Sequence, residues 1–444
     1  MDHSSDPASP ADHPLRAALA AELHARPFLR VAGSASVTHY AIYADNHPEI
    51  HDRLLRALCA ETGIDMPVDG VRHYATASSF GWHLKWERHT EFSTFTFVAS
   101  RSDSDHFNDL AIKGVPTQWL NMMSGLRFHA LRMELISQSA VDSADLHKWM
   151  DGPILVGSLV VGGGKIFSDW RIGSDGYMRF LAIDEDFREE QGGRLLQRLC
   201  EIETYRMMAL LAFPVARRLG IELDEIQAAL QILMQGMNSR CAGDNDADLL
   251  VRLTELAARV ESLSEHGGRF SASRAYERLV LARIQELREQ RIEGMPTVAE
   301  FMERRFTPAM ETCKTVWLRH EEIAARVARA VDLLRTRVNL AQERDVTRLL
   351  AGLDRTSRNQ LHLQHAVEGL SVAAISYYVL SLTAAALKAL HVLKLPFDPE
   401  LAEGLLIAPV IFAVVTIVKR NRTRPFYGEP RSIGAGNHAP SQTF

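Results

Sequence analysis

Cysteine is scarce in this chain: four in 444 residues, at positions 59, 200, 241 and 313, with no C-x-x-C pair among them. That spacing excludes a zinc ribbon and a disulfide framework, and it fits a reducing compartment. A basic surplus is also missing. Fifty Lys and Arg stand against 55 Asp and Glu, a formal charge of -5, so no nucleic-acid partner is expected, because neutralising phosphates takes a cationic surface. The opening stretch MDHSSDPASPADHP has no apolar core of its own, so a secretory signal is not expected. Neither Gly-x-Ser-x-Gly nor His-Glu-x-x-His occurs, which removes both of those hydrolase signatures. Gly162-Gly163-Gly164-Lys165 falls short of a phosphate loop, because the required outer glycine is Leu159 and the required Ser or Thr is Ile166. A glycine turn joining two strands is the expectation there. Nothing in these patterns assigns a catalytic residue or a cofactor.

Two long uncharged runs are present. Gly369 to Leu387 passes nineteen residues without a charge, and Gly404 to Val418 passes fifteen. A bilayer core needs about 20 apolar residues in a helix, so the pair reads as a transmembrane hairpin with the lipid bilayer as partner. The loop between them, Lys388 to Glu403, is rich in turn formers. Arg344, Arg348, Arg355 and Arg358 precede the first run, and Lys419, Arg420, Arg422 and Arg424 follow the second. Positive flanks stay on the cytoplasmic side, so both chain ends are expected in the cytoplasm and the loop outside.

Ahead of the hairpin the hydrophobic period changes twice. Residues 1–13 read as disordered and 14–186 as a mixed, mainly antiparallel α/β domain. That domain has strands at 36–43, 71–76, 80–88, 92–99, 128–136, 154–161, 165–172 and 177–183, and helices near 15–24, 48–61 and 144–150. Residues 187–305 read as a helical section, with a kink or break expected at Pro214. A long stalk helix over 306–366 follows, then the hairpin at 367–420 and a flexible tail at 421–444. The fold class is therefore α+β. Ile323, Val327, Val331, Leu334, Val338 and Ala341 recur every three or four positions, the spacing of a coiled-coil seam, so a homo-oligomer is expected.

Three groups of residues are candidates for chemistry. In HLKWERHTEF, His83, Lys85, Glu87 and His89 share one face of a strand, and His83, Glu87 and His89 are zinc-type donors. The bland reading is a solvated face over a Trp-lined core. The acidic run Asp184 to Glu190 suits either a divalent cation or the positive end of a helix. Within the first apolar run Ser371 and Tyr378 share one helical face and Ser376 and Thr383 another, which suits helix packing or, in an oligomer, the lining of a pore.

ELHARPF (22–28), WERHTEFSTF (86–95), EIETYRMMALLA (201–212) and HAVEGLSVAAISYY (365–378) together resemble the domain of unknown function 3422 family, membrane-anchored bacterial proteins. The likeness spans about residues 14–425 and implies the hairpin but no activity, and it leaves a binding, scaffold or sensor role as the leading expectation. The order of parts also resembles CorA-type magnesium channels, which implies a divalent-cation channel as the alternative. Those channels carry Gly-Met-Asn at the outer end of their first span, where this chain reads AALKALHVLKL.

Overall fold

The computed structural model describes residues 13–422, apart from 21–28, 102–106, 139–148, 239–245, 393–398 and a few single or paired positions. Most of the helix expected at 15–24, most of the one expected at 144–150, and the tail lie outside the described residues. The chain divides between Arg335 and Thr336 into two compact units.

Period-two runs rich in β-branched and aromatic residues build the sheet of the first unit. Its strands are β1 (Ala35–Tyr43), β2 (His73–Ala77), β3 (Trp82–Arg88), β4 (Phe92–Ser100), β5 (Arg127–Ser137), β6 (Val156–Val160), β7 (Gly164–Ser168), β8 (Met178–Asp184) and β9 (Gln290–Arg291). They order as β2-β3-β4-β1-β5-β8-β7-β6-β9. Among the described residues only β5 and β8 pair in parallel. The eight strands expected from the sequence all form. The two-residue β9 escaped notice because it is too short to show a period, and it is held by its pairing to β6. The Gly162 and Gly163 turn closes the β6–β7 hairpin with φ of 98° and 81°, a conformation that glycine adopts without steric cost.

Alternation gives the β3-β4-β1 half of the sheet two different faces. On one, Trp82, Trp86, Tyr40, Phe95 and Phe97 are each 1% exposed or less and pack with Leu54 and Leu58 of α1 (Pro48–Thr62) and Trp119 of α2 (Thr117–Met122). Two of the indoles are satisfied, Trp82 donating to Lys113 O at 3.0 Å and Trp119 to Leu54 O at 2.8 Å, while Trp86 Nε1 is buried without a partner. This is the expected Trp-lined core. The other face is covered by α3 (Gln191–Leu210). From there a single core runs from Val37, Met133 and Phe180 through α4 (Ala212–Asn238), α5 (Asp246–Leu263), α6 (Gly267–Leu287) and α7 (Val298–Arg305). The helical section and the sheet thus share one interior. The break expected at Pro214 falls at Leu211, leaving the proline in the first turn of α4, where its missing N–H breaks no intrahelical bond.

The seam expected to drive a coiled coil is used differently. α8 runs from Thr307 to Val392, but Ile323, Val327, Ala330 and Leu334 are 2% exposed or less and belong to the core of the first unit. Arg319 reaches Asp224 at 2.7 Å and His320 faces Val260 O at 3.1 Å. A stripe at three-four spacing suits an intramolecular bundle as well as a dimer.

In the second unit, α8 is the one helix among the described residues that is long and apolar enough to cross a membrane, and 6% of its most apolar eighteen residues is buried. α9 (Pro399–Arg422) holds a shorter apolar run, Gly404–Ile417, and carries Pro409 inside it. At 1.5 Å per residue that run covers roughly 21 Å of a core about 30 Å thick. Ser371 Oγ donates to Val367 O at 2.9 Å and Thr383 Oγ1 donates to Val379 O. Ser376 is buried while Tyr378 is exposed and meets Tyr377 edge-on.

Candidate functional site

Between β3, β4 and β1 on one side and α3 on the other lies a polar layer that the alternation rule alone would have left in water. Lys85, His39, Thr94 and Thr96 are each 5% exposed or less. Cross-strand register sets them side by side, since Lys85 pairs with Thr96, Thr96 with His39, and Glu87 with Thr94. α3 contributes Gln197, Cys200, Glu201, Thr204 and Tyr205 to the same cavity. Two of the segments that carry the family likeness, WERHTEFSTF and EIETYRMMALLA, therefore face each other here. Leu29, next after ELHARPF, also lines the cavity, and its N–H donates to Gln197 Oε1 at 3.2 Å.

The charges in this layer are compensated locally. Lys85 Nζ is 3.0 Å from Glu87 Oε2, and His73 Nδ1 is 3.5 Å from the other oxygen. Burial by itself raises the Glu87 pKa, but the His73 ring and the Lys85 ammonium outweigh it and pull it down to about 2. His39 bridges two hydroxyls, Thr96 Oγ1 at 2.8 Å and Thr204 Oγ1 at 3.0 Å. Burial first, and His129 second, lower its pKa to about 3. Burial and Arg206 do the same to His129, also to about 3. His129 Nε2 lies 3.9 Å from Glu203 Oε2, a contact of a neutral ring with a carboxylate rather than an ion pair. Arg206 Nε donates to both Glu203 oxygens, at 3.0 and 3.1 Å, and Nη2 donates to Oε2 at 2.7 Å. Glu203 is fully buried.

Several polar atoms of this layer are left over, His73 Nδ1 and His129 Nε2 among them. Thr94 Oγ1 is buried without a hydrogen-bond partner, and the cavity it lines holds about 20 Å³, enough for one water-sized polar molecule. Burial pushes the Cys200 thiol far up, so this residue is no activated nucleophile.

Of the sequence-derived metal set, Glu87 and His89 line this cavity and His83 lies outside it. Among the described residues no group of three or more His, Cys, Asp and Glu is arranged to hold a metal ion. His83 is exposed and lines a different cavity, with Val98 and Ser100. Glu87 is engaged by Lys85 and His73. His89 lies past the end of β3, stacked on Phe92 at 4.2 Å. The physical reason is strand rise, about 3.3 Å per residue, which holds same-face donors at i and i+6 roughly 20 Å apart. The acidic run is divided as well: Lys165 pairs with Glu185, Asp184 Oδ1 accepts from Phe187 N, and Glu190 meets Arg194. Sequence reading missed His39, His129 and Glu203, which lie on three different elements. A signal existed in EIETYR, where Glu203 and Arg206 sit one helical turn apart, but nothing in it announced burial.

The buried imidazoles set a pH dependence. A base whose folded pKa is depressed gives stability that is full above its unfolded value of 6.5 and is lost as pH falls toward about 3. The unfolded chain takes up these protons first. Stability is therefore expected to decline below pH 6.5, by about 1.4 kcal/mol per pH unit for each such proton. Glu87 adds a second loss as pH falls from about 4.5 to about 2. Denaturant midpoints measured from pH 7 to 4 check this, and His39→Asn should flatten the upper part of the decline.

The sequence matches, over residues 11–424, the model of a family described as protein of unknown function (DUF3422). No curated protein matches it.

Proposed function

The chain belongs to the DUF3422 family, and we propose that it is a membrane-anchored binding protein, with the second unit as the anchor and the first as the ligand- or partner-binding part. The observation that carries this is exposed apolar surface. Leu370, Leu382, Leu405 and Phe412 are each more than 70% exposed, and water would penalise each such side chain by about 1.5–3 kcal/mol relative to an apolar medium. The hydroxyls of Ser371, Thr383 and Thr416 donate to carbonyls four residues back, as polar groups do where lipid offers no partner. The flanking arginines and lysines favour an orientation in which both ends of a two-span hairpin face the cytoplasm. With the 323–334 positions packed internally, the exposed Leu340, Leu349, Leu350 and Leu353 are the surface for self-association.

Alkaline carbonate extraction of cells expressing the full chain tests the anchor. Retention in the membrane pellet is expected, and release with the peripheral proteins would sink the reading. Topology is read separately with a membrane-impermeant maleimide on intact spheroplasts. Lys388→Cys should label and Ser357→Cys should not, whereas labelling of both or neither would overturn the two-span orientation. Light scattering in detergent checks self-association, for which a monomer is the contrary result.

A further inference from the structure

A separate cavity lies against the first two turns of α3. Gln191, Arg194, Leu195 and Arg198 line it from α3, Glu286, Leu287 and Arg288 from the end of α6, and Val160 from β6. Its volume is about 230 Å³, below the 300–1,000 Å³ that encloses a drug-sized ligand. Three guanidinium-bearing side chains line it against one carboxylate, and that carboxylate is already engaged twice. Arg198 Nε donates to Glu286 Oε2 at 3.0 Å and Arg283 Nη1 donates to Oε1 at 2.6 Å. Among the described residues Arg194 pairs with the half-exposed Glu190, at 3.4 Å, a contact of little weight in water. Positive charge is left over.

The backbone supplies an independent observation. Arg288 follows α6 as its C-terminal cap at φ 46° and ψ 54°, its N–H donating to Gln285 O. This left-handed position is usually glycine or asparagine, because a Cβ is crowded there. The chain places an arginine at that position, beside a cavity that already holds two. Strained residues of this kind cluster at binding sites.

We propose that this cavity binds a small phosphate-bearing anion, with Arg194, Arg198 and Arg288 as its ligands. Planar guanidinium groups suit phosphate oxygens in paired hydrogen bonds. The proposal gives the binding role above a ligand class. It fails independently of the anchor, which carbonate extraction reads without any ligand.

The test uses the full chain in a neutral detergent, titrated in one arm with inorganic pyrophosphate and in the other with short-chain phosphatidylglycerol against phosphatidylcholine. The expected result is a rise in melting temperature with one of the two anions, shrinking as salt is added. The responding arm identifies a soluble phosphate compound or a lipid headgroup as the source. Arg288→Gly should melt at or above the parent without ligand, because the left-handed strain is relieved, yet bind the anion at least about tenfold more weakly. Arg194→Gln should weaken binding in the same direction. Absence of any shift with both anions in the parent chain would overturn the proposal, as would Arg288→Gly keeping the full shift.

Discussion

Arg206→Leu is expected to cost about 3–5 kcal/mol of stability, the range for removing one partner of a buried ion pair. Glu203 is 0% exposed and receives three hydrogen bonds from Arg206. Without the guanidinium its carboxylate faces His129 at 3.9 Å, and burial, the larger of the two causes lowering that ring's pKa, still disfavours charging it once the Arg206 charge is gone. The loss should be repaired in large part by adding Glu203→Gln, since an amide in the same place carries no charge to compensate. Denaturant unfolding of the parent, the single variant and the double variant in one buffer reads the coupling directly. A single variant within about 1 kcal/mol of the parent would mean that Glu203 is hydrated and that the polar layer is open to water.

Gly193→Ala is expected to be the next most damaging change. A Cβ there would lie 2.0 Å from the carbonyl oxygen of Leu29 and 3.1 Å from its carbonyl carbon. Backbone cannot rotate away as a side chain can, so the segment at Leu29 and Val31 would have to lift off α3. That movement breaks the Leu29 N–H bond to Gln197 and removes Leu29 from the cavity it lines. Overpacking of this kind costs about 1–3 kcal/mol. Denaturant unfolding of parent and variant reads the loss directly. An unchanged denaturant midpoint would show that the close approach is not maintained in solution. At Gly268, where an added Cβ meets nothing within 4 Å, the same substitution should be neutral or slightly stabilising, because alanine is the better helix former.

The strands were legible because a pleated strand must alternate, and residues such as Phe95, Phe97, Trp82 and Trp86 expose that period whatever lies above them. The Trp-lined core on one face followed from the same rule, as did the break near Pro214 and the turn at Gly162. The apolar run at 369–387 was legible for an equally local reason: length and lack of charge are properties of the chain itself.

What the local pattern left open was the identity of the covering layer. His83, Lys85, Glu87 and His89 read as a solvated polar face or a metal site. Only the packing of α3 over that face buries Lys85 against Glu87 and leaves His83 outside, because burial depends on an element more than a hundred residues away. The stripe from Ile323 to Leu334 shows the same division. Spacing fixed which side of the helix is apolar, and the presence of α4 and α5 within reach decided that the core of this chain, rather than a second copy, covers it. Periodicity is set by the geometry of one element, so the sequence by itself determined where strands, helices and the apolar run lie. Which faces meet is set by competition among all apolar surfaces for burial, so tertiary structure alone decided that His39, Glu87, His129 and Glu203 share one layer, and that three arginines gather at the end of α6.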